Sequence, residues 1–460
     1  MLLSFVALGL AALYGWAMLT LILPVPPSSG MVRIVRLGLA LVLGIGVTSM
    51  LYFGWLVVVG YTSRWYFVAE TALGALLLAG AWRRRQQIAP LLREHPQPDR
   101  AWWLVIGGAG CITLLALGMI GYTLQVNPHG AYDAWAIWNA HARFLFRGGA
   151  AWTQVFAPFG GSHADYPYLV PATVARLWTA AGSEVLLAPA LLAMLGVTVT
   201  TGLLVGGVML VADTTRALLA TAALLSASHY VYAGSSLLAD VPVSMFFLAT
   251  LVCLALGSEW PSEAMGWFAV AGLCAGMATW TKNEGWLFIG VVGLVWSGVT
   301  WRDERRSALR RTILPFVLGA APLVVYGIIF KRTLAPPSDL TTGLSISGIA
   351  TKLTDPSRYT MIASVYGTKA LTYGRGIIPV LFIYTVLMGI YWPAEQRRIR
   401  IVTMLTTLGM VAGYTGTYLL TPHDLLWHLN SSLDRLIVHV WPSLLFGLFI
   451  STKSPGKASG

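Results

Sequence analysis

Eleven residues carry the chemistry that can be read from this chain. Asp133 and Asp240 stand where polar loops meet long apolar runs, and an ionisable residue that close to hydrocarbon is costly unless it has work to do. Two carboxylates so placed suit proton abstraction or the orientation of a hydroxyl group. For each, an ordinary helix cap is the competing explanation: Asp133 opens a helical pattern, and Asp240 precedes Val241 and Pro242. Lys282 lies in a Thr-Lys-Asn-Glu-Gly turn between two apolar runs, where it either snorkels or meets a phosphate. Near the C-terminus, Asp424, His428, Ser431, Arg435 and His439 fall at i, i+4, i+7, i+11 and i+15. That spacing makes one polar stripe on one helix, which should face a cavity rather than lipid. A paired Asp434–Arg435 loop end would not account for the whole stripe. His163, Asp165 and Tyr166 precede Pro167 and form either a substrate contact or a polar turn before a proline-started helix. One His and one Asp are too few ligands for zinc.

These residues must be positioned by membrane-spanning helices. The chain has 460 residues, 57% hydrophobic and 10% charged, with a mean hydropathy of +0.71. It has too little polar sequence to cover soluble domains of that length. Its apolar runs reach about 17 to 25 residues, enough to cross the hydrocarbon layer, and helices pair their own backbone groups there. About thirteen spans are expected, near 2–23, 36–60, 65–82, 102–125, 184–212, 217–233, 239–258, 264–283, 285–300, 312–330, 377–392, 401–420 and 436–451. The fold class is therefore an all-α polytopic membrane protein. Cys111, Cys253 and Cys274 all lie inside apolar runs and read as small core residues. The first run lacks a basic leader and a clear cleavage site, so a retained helix is expected.

Charge sets the orientation. Arg83, Arg84 and Arg85, then Arg302, Arg305, Arg306, Arg310 and Arg311, then Arg397, Arg398 and Arg400, and finally Lys453 and Lys457 fall on one face. By the positive-inside rule that face is cytoplasmic. The net charge of +12 thus serves orientation, and no nucleic-acid partner is expected. The long polar segments, about 126–183, 331–376 and 421–435, fall on the outer face. No inner segment is long enough to fold as a nucleotide-binding domain, and neither a P-loop nor a strand-preceded G-x-G-x-x-G is present, so no nucleotide cofactor is expected.

Within the outer segments, Trp135, Trp138, Ala142, Leu145 and Phe146 recur at helical spacing against Asn139, Arg143 and Arg147. This predicts a juxtamembrane amphipathic helix with its arginines facing water or lipid phosphate. The 331–376 segment carries Lys331, Arg332, Lys352, Arg358, Lys369 and Arg375 among Tyr359, Tyr366 and Tyr373. It is either an anionic headgroup site or an interfacial loop.

The order of these motifs resembles the membrane-embedded GT-C glycosyltransferases, in particular the branch with the lipid A aminoarabinose transferases and the protein O-mannosyltransferases. The resemblance rests on Tyr132-Asp133-Ala134-Trp135 before a juxtamembrane helix, and on Tyr166-Pro167-Tyr168-Leu169 before a second one. It rests further on Asp240 to Pro242 opening a span, and on Gly276 to Lys282 in a Gly-rich span. The ending from Thr421 to Leu436 also looks like bacterial members of that superfamily. The match covers about residues 102–330, a GT-C-like catalytic module at 101–330 flanked by three N-terminal helices (1–100) and a C-terminal part (331–460).

The resemblance implies a polyprenyl-phosphate-linked sugar donor used outside the cytoplasm of a bacterial inner membrane, and a glycan, lipid or protein acceptor. It implies Asp133 as the general base and Asp240 as a second acid, with a divalent cation left open. A lysine that precedes the double proline in the aminoarabinose transferases is replaced here by Asp165-Tyr166-Pro167. The donor phosphate must then meet Lys282, Arg375 or Arg435, with His163, Asp165, Tyr166, Asp424 and His428 left for substrate. Two alternatives stay open. One is a flippase or transporter of a lipid-linked glycan, which should carry internal repeats and broken mid-membrane helices. The other is an O-antigen-type ligase or polymerase.

Overall fold

Where a backbone must satisfy itself in hydrocarbon, long apolar runs become helices. The computed structural model describes residues 2–23, 30–88, 100–157, 163–304, 309–338, 340 and 345–455. All regular elements in them are helical, and one isolated bridge joins Ile390 to Thr452. The first half comprises α1 (Leu2–Ile22), α2 (Gly30–Val59), α3 (Trp65–Ile88), α4 (Arg100–Val126), α5 (Asn139–Arg147), α6 (Leu169–Ala181), α7 (Leu187–Val211), α8 (Thr214–Ser226) and α9 (Ser228–Ser235). The second comprises α10 (Asp240–Glu259), α11 (Ala264–Thr281), α12 (Glu284–Glu304), α13 (Leu314–Thr333), α14 (Ile346–Thr354), α15 (Pro356–Thr372), α16 (Ile377–Met388), α17 (Arg397–Leu420) and α18 (Leu425–Ser451).

Ten of these helices are long and apolar enough to cross a membrane, and twelve spans result if two bent pairs each count as one. The protein is a multi-pass helical membrane protein. The bends revise two of the thirteen expected spans. The run at 217–233 divides into α8 and α9, which meet at 65°, and the run at 377–392 is α16, which turns 90° from the helix before it. The run at 401–420 is helical as α17, but its threonines and tyrosines leave it less apolar than the ten. The segment at 331–376 is not a loop, since α14 and α15 occupy most of it.

Helix α10 is the axis. It is buried along nearly its whole length and packs against α7, α11 and α18. Helices α11 and α13 cross at backbone contact, because a Cβ on Gly272 would stand 2.0 Å from the carbonyl oxygen of Phe316. Small residues permit such crossings between membrane helices. Cys253 and Cys274 are buried there as expected, whereas Cys111 is exposed on α4.

The three N-terminal helices brace the 126–183 segment. Buried Arg176 on α6 donates to Glu70 Oε1 on α3 at 2.9 Å and to the carbonyl oxygen of Ala7 on α1 at 3.0 Å. Tyr52 on α2 bonds Thr179 on α6 at 2.8 Å. Phe53 packs on Trp152, Tyr168, Trp280 and Phe330, which joins α2, the 126–183 segment, α11 and α13 into one aromatic block.

Basic residues gather at one end of the bundle. Gln396 donates to the carbonyl of Val211, Arg400 to that of Ile450 and Arg216 to that of Phe449, while Arg398 lies over Trp296. Arg305, Arg306 and Lys457 lie outside the described residues. Asp240 stands at the other end of α10, about 30 Å away at 1.5 Å per residue.

Candidate functional site

At that opposite end four segments distant in sequence converge. The turn before Asp133 docks on the turn before Asp240: the amide of Ala131 donates to the carbonyl of Ser236 at 3.1 Å. Gly130 permits this with φ +73°, and a Cβ there would stand 2.6 Å from the same carbonyl oxygen. The α11–α12 hairpin supplies Lys282. It turns tightly because Gly285 has no side chain to strike the carbonyl of Ala278, 1.9 Å from where a Cβ would lie. Helix α18 brings Arg435 and His439, one turn apart on one face.

The resulting cluster is built on Asp240, whose side chain is 0% exposed. Its Oδ1 accepts from Lys282 Nζ at 2.8 Å and from His439 Nε2 at 2.6 Å, and its Oδ2 accepts from Arg435 Nε at 2.9 Å. A buried carboxylate without such partners would cost several kcal/mol. The bond to Asp240 assigns the proton of His439 to Nε2 and leaves Nδ1 facing the hydroxyl of Tyr414 at 3.5 Å. Lys282 also donates to Glu284 Oε1 at 3.1 Å. Arg435 reaches the other way too, donating from Nη1 to Asp133 Oδ2 at 2.6 Å. One guanidinium therefore bridges the two carboxylates. Neither acid caps a helix: Asp133 makes no side-chain bond to the π-helical turn after it, and both carboxylate oxygens of Asp240 accept from side chains.

The cluster opens into a cavity of about 640 Å³. Tyr132, Asp133, Asp240 and Arg435 line one part of it, and His229, Tyr232, Asn430, Ser431 and Asp434 another. Asp133 and Arg435 are the accessible members, their side chains 28% and 30% exposed.

The remaining expected residues are distributed differently. Asp424 is exposed and caps α18, accepting from the amide of Trp427 at 2.8 Å. His428 bonds Thr421 Oγ1 at 2.9 Å and packs on Tyr418, so the upper half of the polar stripe belongs to the helix start and the lower half to the cluster. Arg375 is exposed, with φ +63°, and does not line the cavity. His163, with φ +46°, stacks on Tyr166 at 4.7 Å. Asp165 is buried and accepts from Asn283 Nδ2 at 2.8 Å, while Lys331 donates to Asn283 Oδ1 at 2.8 Å and to the carbonyl of Asp165. That network fixes the Tyr166-Pro167 turn onto the α11–α12 hairpin and the end of α13. Burial, and then the charge on Asp165, hold the phenol of Tyr168 well above its ordinary pKa and keep it neutral.

The amphipathic helix does not present a free cationic face. Arg143 and Arg147 both pair with Glu184 in the turn before α7, and Asn139 is buried. Three cations of the 331–376 segment are also engaged. Lys352 donates to the carbonyls of Leu420 and Thr421 at 3.0 and 2.8 Å, Arg358 donates to that of Tyr418 at 2.9 Å, and Lys369 pairs with Asp434 at 2.6 Å. Lys352 and Arg358 thus satisfy the last carbonyls of α17, which a helix end leaves without internal partners.

The sequence assigns no site role to His229 or Asp434, and Lys369 enters it only as one cation of the 331–376 segment. His229 lies in an apolar run at a helix bend and carries no motif, and Asp434 reads as half of a surface pair with its neighbour Arg435. Among the described residues, no three His, Cys, Asp or Glu side chains gather at metal-binding distance. Compared with protein-family models, curated proteins and solved structures, the chain matches none of them.

Proposed function

We propose that the protein is a membrane-embedded glycosyltransferase that moves a sugar from a polyprenyl-phosphate donor to an acceptor on the extracytoplasmic side of a bacterial inner membrane. The observation that carries this reading is the shared guanidinium: Asp133 and Asp240, far apart in sequence, meet on Arg435 at the mouth of a cavity opposite the basic end of the bundle. The GT-C-like order of motifs supplies the reaction class.

In this reaction the acceptor hydroxyl gives its proton to Asp133 while its oxygen bonds to the anomeric carbon. The bond from that carbon to the phosphate oxygen breaks, and the electron pair leaves with polyprenyl phosphate. While Arg435 donates to its Oδ2, Asp133 has that oxygen engaged and is not free to take a proton. A phosphate competes for a guanidinium through paired, charge-assisted hydrogen bonds. Arrival of the donor therefore draws Arg435 from Asp133 and frees the base beside the acceptor. Asp240 keeps Lys282 and His439 meanwhile, and so tolerates the change. Arg435 then faces the charge that grows on the leaving phosphate, where a preorganised donor is most effective.

The test is turnover by the purified protein in nanodiscs, supplied with a polyprenyl-phosphate sugar and envelope lipids, glycans or protein as acceptors. A new glycosidic bond with release of polyprenyl phosphate is expected. Translocation of the lipid in vesicles with no bond formed would replace the transferase with a flippase. Turnover restricted to diphosphate-linked glycans would favour a ligase or polymerase.

A further inference from the structure

Asp434 and Arg435 are successive residues of α18, and both line the same cavity, yet their surroundings differ. Arg435 belongs to the two-carboxylate cluster. Asp434 belongs to a second group with His229 and Lys369. Its Oδ2 accepts from Lys369 Nζ at 2.6 Å and lies 3.6 Å from His229 Nε2. The amide of Gly374 donates to His229 Nδ1 at 3.2 Å, which assigns the imidazole proton of the neutral ring to Nε2, on the side of Asp434. His229 also stacks on Tyr373 at 4.9 Å, so its plane is fixed from both sides. The other carboxylate oxygen, Asp434 Oδ1, is buried with no hydrogen-bond partner among the described residues. An orphan carboxylate oxygen is costly and calls for a donor.

This wall offers the partly exposed carboxylate of Asp434, the oriented N–H of His229, the amide of Asn430 and the hydroxyl of Ser431, with exposed Tyr132 and Tyr232 beside them. An anion would be repelled by Asp434. A ring bearing several hydroxyl groups fits, because each hydroxyl both donates and accepts and the apolar face of the ring packs on an aromatic side chain. We infer that Asp434 and His229 form the subsite for the sugar of the lipid-linked donor, while Arg435 takes its phosphate. The inference rests on the transferase reading above and assigns the two ends of its donor to the two sides of one cavity. Lys369, which does not line the cavity, holds Asp434 from behind.

The test compares two affinities in nanodiscs: that for decaprenyl phosphate, and that for decaprenyl phosphate carrying mannose, arabinose or 4-amino-4-deoxyarabinose. The wild type is expected to bind at least one glycosylated lipid roughly tenfold more tightly than the bare phosphate, the gain from a hydrogen bond to a charged group. Asp434→Asn and His229→Leu should abolish that gain and leave the affinity for bare decaprenyl phosphate unchanged. His229→Gln, which retains an N–H, should recover part of it, and Lys369→Met should keep most of it. An equal affinity of the wild type for all four lipids would overturn the subsite and leave the transferase reading standing. So would a loss in Lys369→Met as large as in Asp434→Asn, since the effect would then be packing. Failure of the wild type to bind any of the lipids would overturn the transferase reading and the subsite together.

Discussion

The amide of Ala131 donates to the carbonyl of Ser236, so the turn leading to Asp133 and the turn leading to Asp240 move as one. The contact depends on Gly130. A side chain there would be strained by the backbone at φ +73° and would also stand 2.6 Å from the Ser236 oxygen. Gly130→Ala is therefore expected to cost about 1–3 kcal/mol and to separate the two acids. Thermal unfolding in detergent should register the first effect, and turnover should fall at least tenfold more than donor affinity. An unchanged melting temperature with unchanged turnover would mean that the two turns are not coupled.

Asp133→Asn removes the base and keeps the shape. Turnover should fall by roughly 10²–10⁴, the usual range for a general base. Binding of decaprenyl phosphate should not weaken, because Arg435 no longer has Asp133 as a competing partner. Arg435→Ala should do the reverse and lose the lipid phosphate, with Arg435→Lys intermediate, because a lysine cannot span both carboxylates. If Asp133→Asn turned over normally, another group would have to accept the proton.

A chelator distinguishes a cation-assisted route from one run by the side chains of the cluster. The negative charges of Asp240 and Asp133 already face Lys282, Arg435 and His439. A divalent ion would have to displace Arg435 to reach both. Turnover is therefore expected to change less than about twofold on treatment with EDTA, whereas losing a metal that stabilises the transition state would cost several kcal/mol. Activity lost to EDTA and restored by magnesium or manganese would show that Arg435 gives way to a metal, and the assignment of Arg435 to the phosphate would fall.

Most of the spans are legible as apolar runs of sufficient length, and Asp133, Asp240 and Arg435 stand out because ionisable residues beside hydrocarbon are rare and costly. What the sequence could not convey is which partner each polar group finds. Asp133 and Asp424 both precede helical patterns, but Asp424 caps its helix and Asp133 meets a guanidinium 302 residues away. Lys352 and Arg358 looked suited to a lipid headgroup, and instead they cover the carbonyls at the end of α17. The bend between α8 and α9 falls at Ala227, where ψ is 100°, without a glycine or proline at that position to announce it. Such features arise from contacts between distant segments, which no local pattern encodes.

The role of the three N-terminal helices follows from one such contact. Arg176 and Glu70 are both buried, and their pair joins α6 to α3 while Arg176 also reaches α1. Removing one member leaves an uncompensated buried charge, which costs about 3–5 kcal/mol, whereas replacing both with apolar residues of similar volume is often neutral. Arg176→Met alone should therefore lower the melting temperature sharply, and Glu70→Met with Arg176→Met should recover most of it. Because α6 follows the Tyr166-Pro167 turn that Asp165 ties to the α11–α12 hairpin, the single variant should also reduce turnover, and the double variant should restore it. If the double variant recovered stability but stayed inactive, the N-terminal helices would act on the site through Arg176 itself and not through the position of α6.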